Sequence, residues 1–85
     1  MLQVVMYSKE QCPLCDKGEQ MLQELKEELP FELSVVDIYK DDELLLNYQL
    51  MIPVAAVQTE EGIEEIDYGQ LSKEKIRKRL LQIIG

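Results

Sequence analysis

The chain has 85 residues, of which 46% are hydrophobic and 31% are charged, and its formal net charge at pH 7 is −8. This length fits one small domain, residues 1–85, with enough apolar residues to fold without a structural metal or a permanent disulfide. The negative charge disfavours nucleic acid and anionic membranes as partners, and no apolar run is long enough to cross a bilayer.

The beginning of the chain and the cysteine content indicate a cellular location. The first residues, MLQVVMYSKEQ, lack a basic start and become polar within seven positions, so we expect no secretory signal peptide and a cytoplasmic location. That compartment is reducing, so the two cysteines, Cys12 and Cys15, indicate catalysis or metal binding rather than a structural disulfide.

The first half of the chain predicts a strand, a helix, a strand and a short helix. LQVVMY, residues 2–7, is typical of a buried strand, and helical spacing of apolar residues predicts a helix from Pro13 to about Glu28. FELSVVDI, residues 31–38, alternates as a second strand, and a short helix should follow from Asp41–Asp42 to Tyr48. The expected buried face of the first helix consists of Leu14, Gly18, Met21, Leu22, Leu25 and Leu29.

The second half predicts a hairpin and a last helix. PVAAVQT, residues 53–59, and IEEIDY, residues 63–68, are typical of two strands joined by a turn that closes at Gly62. Ser72 is expected to cap the helix that follows. Its predicted apolar seam consists of Lys75, Ile76, Leu80, Leu81 and Ile84. The order is βαβαββα, and because the first crossover makes strands one and two parallel, we expect an α/β fold with a mixed four-stranded sheet flanked by helices.

Cys12 stands where the first strand gives way to the first helix, and Pro13 occupies the first helical position. Cys12 is therefore the predicted N-cap, and its sulfur should accept the free N–H groups of Leu14 and Cys15. Both these hydrogen bonds and the helix dipole lower the pKa of a thiol below the value of about 8.5 for free cysteine. Cys15 follows about one helical turn later, so Cys12 is the predicted nucleophile on a disulfide and Cys15 the thiol that resolves the mixed disulfide.

Pro53 is the second candidate feature of this site. A proline that opens a strand lacks a ladder donor, so it should lie at the end or edge of the sheet. If the Ile52–Pro53 bond is cis, the turn exposes the backbone of Ile52, which can then pair with a substrate chain beside Cys12.

These residues resemble the glutaredoxin branch of the thioredoxin-like superfamily. YSKEQCPLC is similar to that family's strand-to-active-site signature, and MIPV, residues 51–54, stands where the family has a cis-proline loop. The resemblance implies a thioredoxin-like fold with sheet order 2-1-3-4 and a reversible Cys12–Cys15 disulfide. It implies a glutathione carboxylate contact for Lys9 and backbone pairing between Ile52 and the glutathione cysteinyl unit. The expected substrate-binding residues are Lys9, Pro13, Leu14, Ile52 and Pro53.

The segment after strand four departs from this pattern. Glutaredoxins usually carry a Gly-Gly pair and an acidic residue there, whereas this chain has DYGQLS. The sequence therefore resembles most the small bacterial glutaredoxin-like proteins. We expect a monomer with no resident cofactor, acting on protein or small-molecule disulfides, with glutathione or a thioredoxin reductase-like donor as the upstream reductant.

Two classes of function follow from these observations. The main hypothesis is a cytoplasmic thiol–disulfide oxidoreductase in electron transport and cell redox homeostasis. The alternative is a non-catalytic binding or adaptor protein, or a dimer bridged by zinc or an iron–sulfur centre through the CPLC cysteines. A metal site within one chain is not expected, because structural zinc takes four ligands and the chain has two cysteines and no histidine.

Other polar residues have a functional and a structural interpretation. Asp37 is either a proton acceptor for Cys15 or an ordinary carboxylate at a strand end. Tyr7 and Tyr48 either flank the active site or provide half-buried packing. The basic residues at 73–79 form a solvated helix face or a docking patch for an acidic partner. The acidic residues at 60–67 form a solvated hairpin or repel acidic clients, glutathione included.

Overall fold

The computed structural model describes all 85 residues and contains four strands and three helices. The strands are β1 Leu2–Ser8, β2 Phe31–Asp37, β3 Val54–Thr59 and β4 Gly62–Tyr68; the helices are α1 Pro13–Lys26, α2 Asp42–Tyr48 and α3 Lys73–Ile84. This confirms the predicted order βαβαββα. A turn of 3₁₀ helix over Ile38–Lys40, which was not predicted, ends β2 at Asp37. None of the helices has the length and apolar character needed to cross a membrane.

The sheet has the strand order β2-β1-β3-β4, which confirms the order implied by the resemblance. β1 runs parallel to β2, with Ser8 opposite Asp37, because α1 forms the crossover between them. β3 is antiparallel to both β1 and β4, with Tyr7 opposite Val54. The end of β1 that leads to the cysteines therefore lies beside the start of β3, where Pro53 stands.

α1 begins at Pro13, as predicted, and ends at Lys26, slightly before the predicted Glu28. Its fully or almost fully buried residues are Cys15, Gly18, Leu22 and Leu25. These positions recur every three or four residues and so form one helical face. Leu14 was expected on this face, but its side chain is 47% exposed because it points away from the core.

Apolar side chains pack on both faces of the sheet. On one face, α1 and α3 cover a core that includes Val4, Met6, Leu22, Leu25, Phe31, Ile76 and Leu80. On the other face, a smaller cluster consists of Tyr7, Ile38, Val54 and Ala56, against which residues of α2 pack. Neighbouring residues of β1 point to opposite faces, so Met6 faces the first core and Tyr7 the second. Both cysteines belong to the first core.

α3 is capped by Ser72, whose hydroxyl oxygen accepts the N–H of Lys75 at 3.2 Å, as predicted. Its residues that pack on the core are Ile76, Leu80 and Ile83. The predicted seam is wrong for Lys75, Leu81 and Ile84, which are exposed. Positions 76, 80 and 83 form the stripe that a 3.6-residue period places on one side, and the other three lie outside it.

The basic residues of α3 form ion pairs with neighbouring elements. The hydrogen-bonded pairs to other elements are Lys73–Glu24 at 3.2 Å, Lys75–Asp67 at 3.5 Å, Arg77–Glu28 with two contacts at 3.0 Å, and Arg79–Glu64 with contacts at 2.6 and 2.8 Å, whereas Lys78 forms none. The hydrogen bond from Arg77 lowers the pKa of Glu28, and that from Arg79 lowers the pKa of Glu64. The basic segment therefore links α3 to α1 and β4, although solvent-exposed pairs of this kind contribute little to the stability of the fold.

Candidate active site

Cys12 and Cys15 lie at the junction of β1 and α1 and are joined by a disulfide, with Cα atoms 5.2 Å apart. Cys12 is the N-cap of α1, and its sulfur accepts the backbone N–H of Cys15 at 3.2 Å. The predicted second hydrogen bond, from the N–H of Leu14, is not formed. The hydrogen bond and the positive end of the helix dipole both favour a negative charge on the Cys12 sulfur.

The two cysteines differ in exposure. Cys12 retains 9% of its accessible surface and Cys15 only 2%, so Cys12 is the more accessible to an incoming disulfide. The residue before Cys12, Gln11, has a φ of +54°, in the left-handed region that residues other than glycine rarely adopt. Such unusual backbone often lies beside functional groups. Cys12, the predicted nucleophile, is thus the less buried cysteine, and Cys15, the predicted resolving thiol, is the more buried one.

The loop before β3 packs against α1. The Ile52–Pro53 peptide is cis, and Pro53 is buried. A Cβ added to Gly18, one turn after Cys15, would lie 3.5 Å from Pro53 Cγ. The backbone N–H and carbonyl of Ile52 form no hydrogen bond within the chain, so both are available to an extended substrate segment.

The DYGQLS segment holds this loop and the start of α3. Gly69 has a φ of +74°, and its N–H donates to the carbonyls of Met51 at 3.0 Å and Pro53 at 2.8 Å. The Asp67 carboxylate accepts the N–H of Ser72 at 2.8 Å. The segment that departs from the glutaredoxin pattern therefore fixes the position of the cis-proline loop.

Lys9 and Asp37 lie on the side of the site nearer to Cys15. With Glu10 and Tyr39 they line an open cavity of about 360 Å³, and both also line a neighbouring cleft that reaches Cys15. The Asp37 carboxylate accepts the N–H of Tyr39 at 2.9 Å and so caps the 3₁₀ turn. This cap supports the structural interpretation of Asp37 at the end of its strand.

A narrower groove of about 180 Å³ lies between α1 and the β4–α3 loop, and we call it the α1 groove. It is lined by Leu14, Lys17, Gly18, Met21, Gln70 and Leu71. Among the predicted substrate contacts only Leu14 lines it, so Lys9 and Leu14 face different cavities. The spacing of positions 14, 17 and 21 was a signal in the sequence for one helical face. The loop residues that complete the groove, Gln70 and Leu71, belong to the DYGQLS segment, which the resemblance had singled out as a departure from the glutaredoxin pattern.

Tyr7 and Tyr48 stack on the sheet face opposite the cysteines, with ring centroids 4.6 Å apart and planes inclined by 13°. Burial raises the pKa of Tyr48 to about 12, with a further contribution from the carboxylate of Glu65. Burial and the same carboxylate raise the pKa of Tyr7. The packing interpretation of both tyrosines is therefore correct, because the stack joins α2 to the sheet.

Sequence comparison gives a family match over most of the chain. The family model described as glutaredoxin-like domain (DUF836) matches residues 3–81. No curated protein shows detectable sequence similarity to the chain.

Solved structures of similar fold span most of the chain. The solution structure of protein Ne2328 from Nitrosomonas europaea has 27% identity over 92% of this chain and 89% of that chain, with a TM-score of 0.79. The structure of protein XcR50 from X. campestris has 23% identity, covers 93% of this chain and 96% of that chain, and has a TM-score of 0.72. A thioredoxin from Trypanosoma brucei brucei has 17% identity, covers 99% of this chain and 75% of that chain, and has a TM-score of 0.74. These neighbours confirm the thioredoxin-like fold.

Proposed function

Because the chain belongs to the glutaredoxin-like domain family, we propose that it is a thiol–disulfide oxidoreductase in which Cys12 and Cys15 alternate between dithiol and disulfide. The observation that supports this most directly is the position of the bonded pair at the N-terminus of α1. The Cys12 sulfur accepts a helix N–H at 3.2 Å, and Cys12 is the less buried residue of the two. A thiolate at this position is stabilised by the hydrogen bond and by the helix dipole, as an activated nucleophile requires.

Reduction of a client disulfide proceeds by two exchanges. The Cys12 thiolate attacks one client sulfur, so a Cys12–client disulfide forms and the other client sulfur leaves as a thiolate. The Cys15 thiolate then attacks the Cys12 sulfur, which forms the Cys12–Cys15 disulfide and releases the second client thiolate. Two electrons pass to the client, and an upstream thiol donor must return the pair to the dithiol state.

The backbone of Ile52 holds the client chain in this proposal. Its free N–H and carbonyl lie next to Pro53, and Pro53 packs near Gly18 on the helix that carries both cysteines. An extended segment that pairs with Ile52 gains backbone hydrogen bonds without requiring a particular side chain. Pro13 and Leu14 are exposed beside Cys12 and remain proposed contacts. Lys9 remains a proposed contact for a glutathione carboxylate on the Cys15 side.

The same proposal covers location and partners. The protein acts as a monomer in the cytoplasm, in electron transport and cell redox homeostasis, where a reversible pair is useful and a permanent one is rare. Its clients are proteins or small molecules with disulfides, and its donor is glutathione or a thioredoxin reductase-like protein. The net charge of −8 argues against nucleic acid and anionic membranes as partners.

Equilibration in glutathione buffers of graded redox poise, followed by alkylation and intact-mass measurement, tests the proposal. We expect two thiols to disappear together as the buffer becomes more oxidising. A glutathione adduct at intermediate poise would support glutathione as the donor. Two thiols that are alkylated at every poise would contradict the redox function.

Single-cysteine variants test the assigned roles and the alternative class. Cys15→Ser should accumulate a mixed disulfide on Cys12, because the second exchange is blocked. Cys12→Ser should lose all disulfide reduction, whereas an adaptor would keep its partner after this change. For the metal-bridged alternative, no group of three or more potential ligand side chains converges within the chain, so bridging would need two chains and would give a metal-dependent dimer by gel filtration.

A further inference from the structure

We propose that the α1 groove selects protein clients that carry an apolar side chain and a neighbouring carboxylate close to the attacked cysteine. This inference rests on the disulfide exchange proposed above and names the class of disulfide that reacts best. It concerns Lys17, Met21, Gln70 and Leu71 together with Leu14, all of which line the groove.

The size of the groove favours a single side chain as its occupant. Its volume is about 180 Å³, below the range of about 300–1,000 Å³ that is usual for sites that enclose a small molecule. The groove is therefore too small to enclose a tripeptide such as glutathione, but it is large enough to enclose one apolar side chain of a longer polypeptide.

Three of the six residues that line the groove are apolar, and Leu14 places one end of the groove next to the reactive pair. Leu14, between the two cysteines, is 47% exposed, and Met21 and Leu71 are half-buried. Leu71 crosses from the β4–α3 loop to α1, where a Cβ at Gly18 would lie only 2.9 Å from its Cδ1 atom. The missing side chain at position 18 therefore allows Leu71 to form one wall, and an apolar client side chain between these walls would lose contact with water.

The charge of the groove is opposite to that of the protein. Lys17 is its only charged lining residue and forms no ion pair, while the chain as a whole carries −8. The acidic residues close to the cysteines line the cleft on the Cys15 side instead. They are Glu10, Asp16, Glu19 and Asp37. Lys9 and Lys40 also line that cleft and partly offset its carboxylates, whereas Lys17 has no acidic neighbour among the residues that line the α1 groove. A client carboxylate would thus be attracted more strongly to the α1 groove than to the cleft on the Cys15 side.

The backbone of Ile52 determines how a client reaches the groove. A segment paired with Ile52 would be extended, and alternate side chains of an extended chain point to the same side. Side chains two positions apart would therefore face α1, where Leu14, Lys17 and Met21 lie along one helical face. This geometry suits a client in which an apolar residue and an acidic residue lie two positions apart near the cysteine, so that both side chains point towards α1.

Peptides activated as mixed disulfides with 2-thiopyridine provide the test. The protein is the reduced Cys15→Ser variant, so that only the first exchange occurs: Cys12 bonds to the peptide sulfur and pyridine-2-thione leaves, which is measured by absorbance. Four acetylated peptides are compared, with Leu or Ser at one position and Glu or Lys two residues away. The 2-pyridyl disulfide of 2-mercaptoethanol is neutral and small, and its rate corrects for any change in the intrinsic reactivity of Cys12.

We expect the Glu peptides to react about threefold faster than the Lys peptides, the size typical of an exposed ion pair. We expect the Leu peptides to react about tenfold faster than the Ser peptides because the groove buries the leucine. Lys17→Glu should reverse the charge preference, and Leu71→Ser should reduce the apolar preference. Lys26→Glu is the matched control, since it makes the same charge change on an exposed site of the same helix outside the groove.

The outcomes separate this inference from the proposed function. Equal rates for all four peptides would overturn the inference and leave disulfide exchange intact. The inference is also overturned, and disulfide exchange is again left intact, if Lys26→Glu changes the preference for Glu over Lys peptides as much as Lys17→Glu does. If Cys12 fails to react even with the 2-mercaptoethanol disulfide, the exchange reaction itself is refuted, and the inference with it.

Discussion

Replacement of Gly69 by alanine tests how the β4–α3 loop holds the cis-proline loop. Gly69 has a φ of +74°, and a Cβ added there would meet no atom within 4 Å, so the change introduces no clash. The expected cost is that of placing alanine in the left-handed region, about 1–2 kcal/mol. A small domain is stable by only about 5–15 kcal/mol, so the loss should be measurable as a lower urea midpoint and a lower Tm, by roughly 4–8 °C per kcal/mol.

The same change should also affect client exchange. The N–H of Gly69 donates to Met51 and Pro53, so relaxation of its backbone loosens the loop that presents Ile52. We expect slower reaction of reduced protein with a peptide disulfide, while alkylation of Cys12 by iodoacetamide, which needs no contact with Ile52, keeps its rate. Gly69→Asn is the matched control, because asparagine tolerates left-handed backbone. If alanine and asparagine destabilise equally, or alanine has no effect, the argument from φ is refuted.

Three further predictions concern the core, the tyrosine pair and the ion pairs. Leu22→Ala empties a fully buried position and should cost about 2–5 kcal/mol in urea unfolding, whereas a loss below about 1 kcal/mol would mean that the core refills the space. Burial favours the protonated form of Tyr48 in the folded state and raises its pKa to about 12, so its contribution to the free energy of unfolding is complete below about pH 10 and is lost as the pH rises towards 12. The difference in stability between wild type and Tyr48→Phe should therefore fall over this range, and a constant difference would contradict the raised pKa. The hydrogen bond from Arg79 lowers the pKa of Glu64, so this pair stabilises the fold above the ordinary glutamate pKa, and that stabilisation is lost as the pH falls through the lowered pKa. Glu64→Gln should therefore destabilise the protein at neutral pH and should cease to do so in acid.

Sequence reasoning was correct where the signal lies within a few residues. Pro13 directly after Cys12 fixes the start of α1 and makes Cys12 the cap, and the structure shows that cap. Ser72 caps α3 for the same kind of local reason. The strand order required the family resemblance, since alternation within strands does not determine which strands are neighbours.

The predictions from sequence are wrong where contacts between segments far apart in the chain determine which side chains are buried. The β3–β4 register shifts between Ala55 and Ala56, so Ile66 has no partner in β3. This bulge allows Ile66 and Asp67 to face the same side, where Ile66 packs on the core and Asp67 caps the segment before α3. A regular strand would place them on opposite faces. The interpretation of the acidic residues as a solvated hairpin is therefore wrong for Asp67, whose side chain is only 11% exposed. The Glu64 side chain remains 36% exposed and forms an ion pair with Arg79 there.

Leu14, a predicted substrate contact, shows why the exposure of an apolar helix residue is difficult to predict from one sequence. Its position in the helical pattern predicts burial, because the pattern records apolar character and not what covers it. In the fold it lies at the edge of α1, opposite a loop that is more than fifty residues away along the chain. Only the pairing of β1 with β3 and of β3 with β4 brings that loop to the helix.

In the proposed function, the same strand pairing separates the residues that make Cys12 reactive from those that choose the client. Cys12 and Cys15 depend on β1 and the first turn of α1, which are local to the CPLC segment. The groove and the cis-proline loop depend on residues 69–71, which reach α1 because β4 lies beside β3. Substitutions at 69–71 can therefore change which disulfide reacts while the cap on the Cys12 sulfur stays in place. Two proteins with the same cysteine motif and different segments after β4 would then share the exchange chemistry and differ in their clients.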